Sequence, residues 1–279
     1  MILIDMNQIA VANLMMNLKM NNSKTLDESM VRHMILNSIR MYRKEHHSEY
    51  GEVVLTWDSK HSWRRDYYPE YKASRRKGRE ESNLNWDDIF ETLNKIRNEI
   101  KENFPYKYLE VFGAEADDII GFLCEENRDE KIMIISGDKD FIQLQKYSNV
   151  TQWSPITKKQ VNGFDPTIYL KEHILKGDTS DGVPNVLSPD NTFSDGLRQR
   201  PLSRKKIQSW LNSIKDCDDE VKRNYQRNLT LIDLTKTPEE LKNQIRLEYN
   251  NAPHGDRSKL LNYFMKNKLK ELTENIGEF

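Results

Sequence analysis

Short apolar runs that end in acids recur along this chain, and they restrict its fold more than any other feature. Residues 1–4 (MILI) lead into Asp5, and residues 53–57 (VVLTW) lead into Asp58. Residues 108–112 (YLEVF) precede Glu115, Asp117 and Asp118, and residues 132–135 (IMII) precede Asp138 and Asp140. Runs this short and this apolar read as strands buried on both faces. Between them, Met30, Met34, Ile35, Ile39 and Tyr42 recur at helical spacing within 26–44. Trp86, Ile89, Phe90, Leu93, Ile96 and Ile100 do the same. Segments 116–126 and 140–146 read as further helices, and 149–153 as a fifth strand. The alternation predicts an α/β fold, a mostly parallel sheet with helices on both faces. His46 and His47 read as solvated residues of a helix-to-strand connection.

After residue 163 the pattern turns polar and helical, with turns at Asp165-Pro166, Gly182 to Pro184 and Ser188-Pro189. The expected division is an α/β unit over 1–163 and a smaller helical domain over 164–279. A chain of 279 residues buries such a core without staples. Its two cysteines, Cys124 and Cys217, lie far apart and in no CxxC pattern, so neither a disulfide scaffold nor a zinc site is expected. No apolar run approaches a membrane span, and the N-terminus lacks the features of a signal peptide. The expected setting is therefore a reducing cytoplasm.

A parallel sheet gathers the carboxyl ends of its strands on one edge, where ligands bind. Asp5, Asp58, Glu115, Asp117, Asp118, Asp138 and Asp140 would crowd there, with Asp178 and Asp181 of KGDTSDGVP nearby. So many carboxylates cannot all ionise together without counter-cations. Oxygen donors with no Cys or His suit Mg²⁺ or Mn²⁺, and two such ions suit phosphodiester hydrolysis. Each acid alone has a plainer reading. Asp138 fits a helix N-cap, Glu115 and Asp117 a first helical turn, and Asp181 a turn before Gly182. Recurrence at successive strand ends favours the shared site. Other chemistries fail: there is no GxG and no HExxH, and Val183 stands where a P-loop needs lysine. Asn7 occupies the place of the second aspartate that an aspartyl-phosphate phosphatase needs.

The net charge is −1, from 43 Lys+Arg against 44 Asp+Glu, yet residues 60–79 hold eight basic and two acidic residues. Lys60, Arg64, Arg65, Lys72, Arg75, Arg76, Lys77 and Arg79 interleave with Tyr67, Tyr68 and Tyr71 there. Cations mixed with aromatics at the acidic edge suit a nucleic-acid strand, through phosphate contacts and base stacking. Arg198, Arg200, Arg204, Lys205 and Lys206 form a second basic patch, expected to grip duplex phosphates.

These motifs together (LIDMNQ, YPEYKASR, EADD, SGDKDFIQL, GDTSDGVP and NLTLIDL) resemble the 5′-nuclease, or flap endonuclease, family. WRRD, GRE and WSP make the ribonucleases H of T-even-like bacteriophages the nearest branch. The resemblance spans essentially the whole chain. It implies a PIN-like core with a basic arch at about 60–82, and a helical second domain. It implies Mg²⁺-dependent 5′ to 3′ cleavage of RNA–DNA hybrids and of nicked or flapped duplexes, removing RNA primers from lagging-strand fragments in phage replication. Two Mg²⁺ are implied, with Mn²⁺ as a substitute, and 5′-phosphate products. By position, Asp5, Asp58, Glu115, Asp117 and Asp138 would surround the first ion, with Asp118 in the same cluster. Asp140, Asp178 and Asp181 would serve the second, and Lys72 and Arg75 would hold the scissile phosphate. The implied partners are a single-strand-binding protein and a sliding clamp, with the enzyme itself a monomer in the host cytoplasm and no membrane. One departure stands out: the family's glycine-rich helix–three-turn–helix is missing after Val183, so duplex binding is expected to rest on the Arg198 to Lys206 patch. Two other classes were open. A binding protein without catalysis would be expected to have lost acids, and none of the nine is missing. A PIN-type toxin ribonuclease is usually a short single domain.

Overall fold

The computed structural model describes residues 1–20, 26–215 and 217–279, the side chains of Arg76 and Lys77 excepted. Its sheet contains β1 (Ile2–Asp5), β2 (Val53–Thr56), β3 (Lys107–Leu109), β4 (Ile132–Ile135), β5 (Val150–Ser154) and β6 (Lys159–Gln160). The spatial order is β3-β2-β1-β4-β5-β6. β1 pairs in parallel with both β2 and β4, in the registers Ile4↔Leu55 and Ile4↔Ile135. Only β6 runs antiparallel, as a hairpin with β5. The order reverses direction at β1, so the topological switch lies between β1 and β4, beside Asp5 and Asp138.

The helices are α1 (Met6–Met20), α2 (Glu28–Tyr50), α3 (Trp63–Tyr67), α4 (Ser74–Glu80), α5 (Trp86–Asn103) and α6 (Ala116–Glu126). They continue with α7 (Pro166–Lys176), α8 (Arg204–Asn212), α9 (Asp219–Ile232), α10 (Glu239–Asn251), α11 (Leu260–Lys266) and α12 (Lys270–Glu274). Strand residues alternate between two cores. Ile2, Ile4, Val53 and Leu55 face α1, α2 and α5, whereas Leu3, Val54, Ile132 and Ile134 face α6 and α10.

The structure corrects several sequence expectations. Helix α1 had no counterpart, because its apolar residues are spread around the axis: Ile9, Leu14 and Leu18 are buried while Val11, Met16 and Met20 are exposed. Strand 108–112 shrinks to Lys107–Leu109, because the chain turns through Gly113 at φ +88°. The 140–146 helix is a 3-10 helix, Lys139–Lys146. Helix α2 runs to Tyr50 and stops at Gly51, where φ is +81°. His46 and His47 thus lie inside α2, and His46 is buried against Trp153.

Past residue 163 the chain contributes to several clusters of buried residues. Helices α7, α8 and α9 form small cores around Ile174, Leu231 and Ile207, the first two shared with Tyr68 and Tyr71 of the basic segment. Beyond them the chain returns to the sheet. Leu234 and Ile245 join one core, and Leu260, Phe264, Leu272 and Phe279 join the other.

Candidate metal centre and nucleic-acid interface

Asp5 closes β1, and its carboxylate accepts hydrogen bonds from Gln8 N (3.1 Å) and Ser136 Oγ (3.0 Å). Asp58 follows β2 and accepts from Ala116 N, the first residue of α6, at 2.7 Å. Asp138 follows β4 and caps the 3-10 helix, accepting from Asp140 N at 2.9 Å. The cap read from sequence is present, and it orients the side chain at the same edge as Asp5. Asp117 stands in the first turn of α6 and lines a small internal space with Asp140, Asp178 and Asp181.

The electrostatics of this edge are unfavourable without cations. Burial pushes Asp5 up to about 7, against its hydrogen bonds and helped by the Asp58 and Asp138 charges. Burial likewise raises Asp58, and burial with Asp138 and Asp5 raises Asp117 well above the carboxylate range. Asp140 rises to about 7 through burial, partly offset by His173.

The second group of acids hangs on the turn after α7. Gly177 has φ +70°, and a Cβ there would lie 2.3 Å from Val183 O, so only glycine fits. The turn closes through Val183 N to Asp178 O (2.7 Å), while Asp178 Oδ1 accepts from Ser180 N (2.7 Å). Helix α9 holds the turn from behind: Arg227 Nη2 and Asn228 Nδ2 both donate to Pro184 O, at 2.8 and 2.9 Å. His173 bridges the acids, with Nδ1 3.2 Å from Asp140 and Nε2 3.5 Å from Asp178. Asp140, His173 and Asp178 offer donor atoms that all lie within 4.8 Å of one another. Sequence reasoning expected oxygen donors alone and missed His173. Its one signal was its place a turn before GDTSD on a helix.

Between the two groups stands Lys72. Its Nζ lies 2.5 Å from Glu115 Oε1 and 3.6 Å from Asp181 Oδ2. Burial works against its charge, but Asp181 and Glu115 hold its pKa above the ordinary lysine value. Its backbone has φ +58°, a conformation that lysine rarely adopts, and its N–H donates to Asp181 O at 2.7 Å. Arg75 pairs with Asp181 from the solvent side. Glu115 is raised by burial, yet Lys72 and Arg64 more than offset this and hold it at about 2.

Comparison with known proteins decides the family. Residues 1–173 match the family described as 5′-3′ exonuclease, N-terminal resolvase-like domain. The chain belongs to that family. It is a nuclease. Residues 165–279 match the T4 RNase H C-terminal family. The chain is 37% identical over 292 residues to ribonuclease H of Enterobacteria phage T4, covering 99% of this chain and 95% of that protein. It is 28% identical over 217 residues to a 5′-3′ exonuclease of Buchnera aphidicola subsp. Acyrthosiphon pisum, covering 71% of this chain and 72% of that protein. Among solved structures, a phage T5 protein co-crystallised with metal ions aligns with TM-score 0.63 at 16% identity, over 89% of this chain and 97% of that one. The T5 flap endonuclease in complex with DNA and metal ions aligns with TM-score 0.62 at 18% identity, over the same shares of the two chains. These two likenesses concern the fold.

Within this nuclease, four residues singled out in the sequence change role. Arg64 is fully buried, donating to Leu231 O (2.9 Å), Asp118 (2.9 Å) and Glu115 (3.1 Å), so no phosphate reaches it. Asp118 is fully buried too. Its oxygens accept from Arg64, Trp63 Nε1, Thr237 Oγ1 and Glu115 N, which makes it a clamp on the base of the basic segment. Tyr68 is buried with its hydroxyl on Asp190 O at 2.6 Å, so it offers no face to a base. Tyr71 is also enclosed, donating to Glu115 and lying within 2.8 Å of both Glu115 and Asp181. Arg65 and Tyr67 remain exposed, as do Arg198, Arg200, Arg204, Lys205 and Lys206. Arg79 packs over the Phe90 ring. The side chains of Arg76 and Lys77 lie outside the described residues.

Proposed function

We propose that this nuclease cuts from the 5′ end of RNA–DNA hybrids and of nicked or flapped duplexes, using Mg²⁺, and that it removes RNA primers from lagging-strand fragments in phage replication. The observation that carries this reading is the convergence of Asp5, Asp58, Asp117 and Asp138 on one sheet edge. Burial and mutual repulsion there raise three of them. Divalent cations would remove that repulsion, so the donor set fits them. Asp5, Asp58, Asp117 and Asp138, with Glu115 at their border, would hold one ion; Asp140, Asp178 and Asp181 would hold the other. His173 adds a nitrogen donor beside the second set, which suits Mn²⁺ as a substitute. When bound, such ions polarise a phosphodiester and lower the pKa of water.

The chain's own residues supply the rest. Lys72, between the two groups of acids, and Arg75, on their solvent side, would bind phosphate oxygens and offset charge as it develops. Cleavage would leave the 5′-phosphate on the product. The exposed Arg198 to Lys206 patch would hold duplex phosphates. A single-strand-binding protein and a sliding clamp in the host cytoplasm complete the reading, with the enzyme acting as a monomer. Among the described residues no helix is long and apolar enough to cross a membrane.

The test is direct. A 5′-labelled RNA strand annealed to DNA, a matched all-DNA duplex and a 5′-flapped duplex are incubated with the protein in Mg²⁺ and then in EDTA. Short labelled products that vanish in EDTA are expected. Tight binding with no cleavage in Mg²⁺ or Mn²⁺ would contradict the reading.

A further inference from the structure

A groove of about 520 Å³ runs between α1, α4 and α5 and is lined by Asp58, so it adjoins the acidic centre. It has three aromatic side chains. Trp57 is buried, while Trp86 and Phe90 sit one turn apart on α5 with ring centroids 5.7 Å apart. Phe90 is 43% exposed, so part of its ring is open to the groove. Cations surround these rings. The Arg79 guanidinium lies 5.7 Å from the Phe90 centroid, and the Arg97 guanidinium 5.0 Å from that of Trp57. Lys60 and Arg75 line the same groove.

We propose that this groove holds one unpaired base of the strand being cut, stacked on Phe90, with the adjoining phosphates at Lys60, Arg75 and Arg79. The inference rests on the nuclease reading above and adds a specificity site to it. Apolar rings alone would suit many occupants, but a rim of cations next to an acidic cleavage centre selects a polyanion with flat apolar faces. A base inside a duplex has both faces covered by its neighbours, so only an unpaired one can present a face to Phe90. This moves the stacking role from Tyr68 and Tyr71, which are enclosed, to side chains of α5 outside the basic segment.

The experiment places 2-aminopurine at successive unpaired positions next to the 5′ end of a flapped duplex. Fluorescence and anisotropy are read together in EDTA, where binding proceeds without cleavage. One position is expected to be quenched by the wild-type protein. Phe90→Ala should restore its emission and weaken binding about tenfold. Phe90→Trp should keep the quench. An abasic site at that position should cost the wild type a similar factor and cost Phe90→Ala little more. Binding with no quenched position, or two losses that simply multiply, would overturn the inference. A wild type that cuts in Mg²⁺ but quenches nowhere would remove this site and leave the nuclease reading; one that neither binds nor cuts would remove both.

Discussion

Lys72 shows how one residue links the two carboxylate groups. It faces Glu115 and Asp181 at once, and a left-handed backbone conformation holds it there. Lys72→Ala is expected to slow single-turnover cleavage about 10²–10³-fold, the scale for losing one preorganised charge donor. Binding should weaken by much less; equal losses in rate and affinity would argue against this role. Arg64 differs, although it belongs to the same basic segment. Removing its charge in Arg64→Met leaves Asp118 in the interior without its ion-pair partner, while Glu115 keeps Lys72, at a cost of about 3–5 kcal/mol. Denaturant unfolding checks that figure. The salt dependence of nucleic-acid binding should be unchanged, whereas Arg204→Ala with Lys205→Ala should flatten it. The carboxylates also set a pH signature. Asp5 and Asp140 have pKa values raised from an ordinary 3.8 to about 7. Between those values the folded chain retains protons that the unfolded chain has released, so stability falls as pH rises through that window. Glu115, lowered to about 2, acts in the opposite sense, adding stability above its ordinary 4.5 that is lost as pH falls. In EDTA the Tm should therefore drop from about pH 5 to pH 7. Mg²⁺ should raise the Tm most at the upper end of that range.

At the scale of elements, the turn after α7 is the most constrained piece of the site. Gly177→Ala puts a methyl group 2.3 Å from a backbone oxygen in a conformation that alanine avoids. A loss of about 3 kcal/mol or more is expected, and it should displace Asp178 and Asp181, so that cleavage falls even below the Tm. The strands and the acids that end them were legible in the sequence, because buried parallel strands are apolar throughout and each ended near a carboxylate. Asp138 was legible as a cap, which the structure supports through Asp140 N, and its part in holding an ion belongs to the proposal. What was not legible depended on contacts between distant segments. Nothing local distinguishes Arg64, which is buried, from Arg65, which is exposed; the difference comes from Leu231 and Asp118, far along the chain. Nothing local marks Tyr68 as enclosed either, because its partner Asp190 lies in another segment. Helix α1 escaped because its exposed methionines blur the apolar face.

Across the whole molecule, the chain past α9 returns to the sheet and closes one of its cores. Phe279 is fully buried, with ring centroids 5.7 Å from Phe104 and 5.1 Å from Phe264. Phe279→Ala should therefore cost about 3–5 kcal/mol. An unfolding midpoint close to wild type would show that this segment adds little to the core. The sheet edge gathers acids from β1, β2, α6 and β4, while α7 and its turn bring the second group across. The proposed site thus draws on both the α/β sheet and the helical segment. The most direct test is single-turnover cleavage of a 5′-labelled RNA–DNA hybrid in Mg²⁺ by the wild type and by Asp138→Asn, with binding measured in parallel. Asparagine keeps the oxygen that caps Asp140 N but removes the charge. Asp138→Asn is expected to abolish cleavage while binding and Tm are kept; cleavage at the wild-type rate would remove Asp138 from the mechanism.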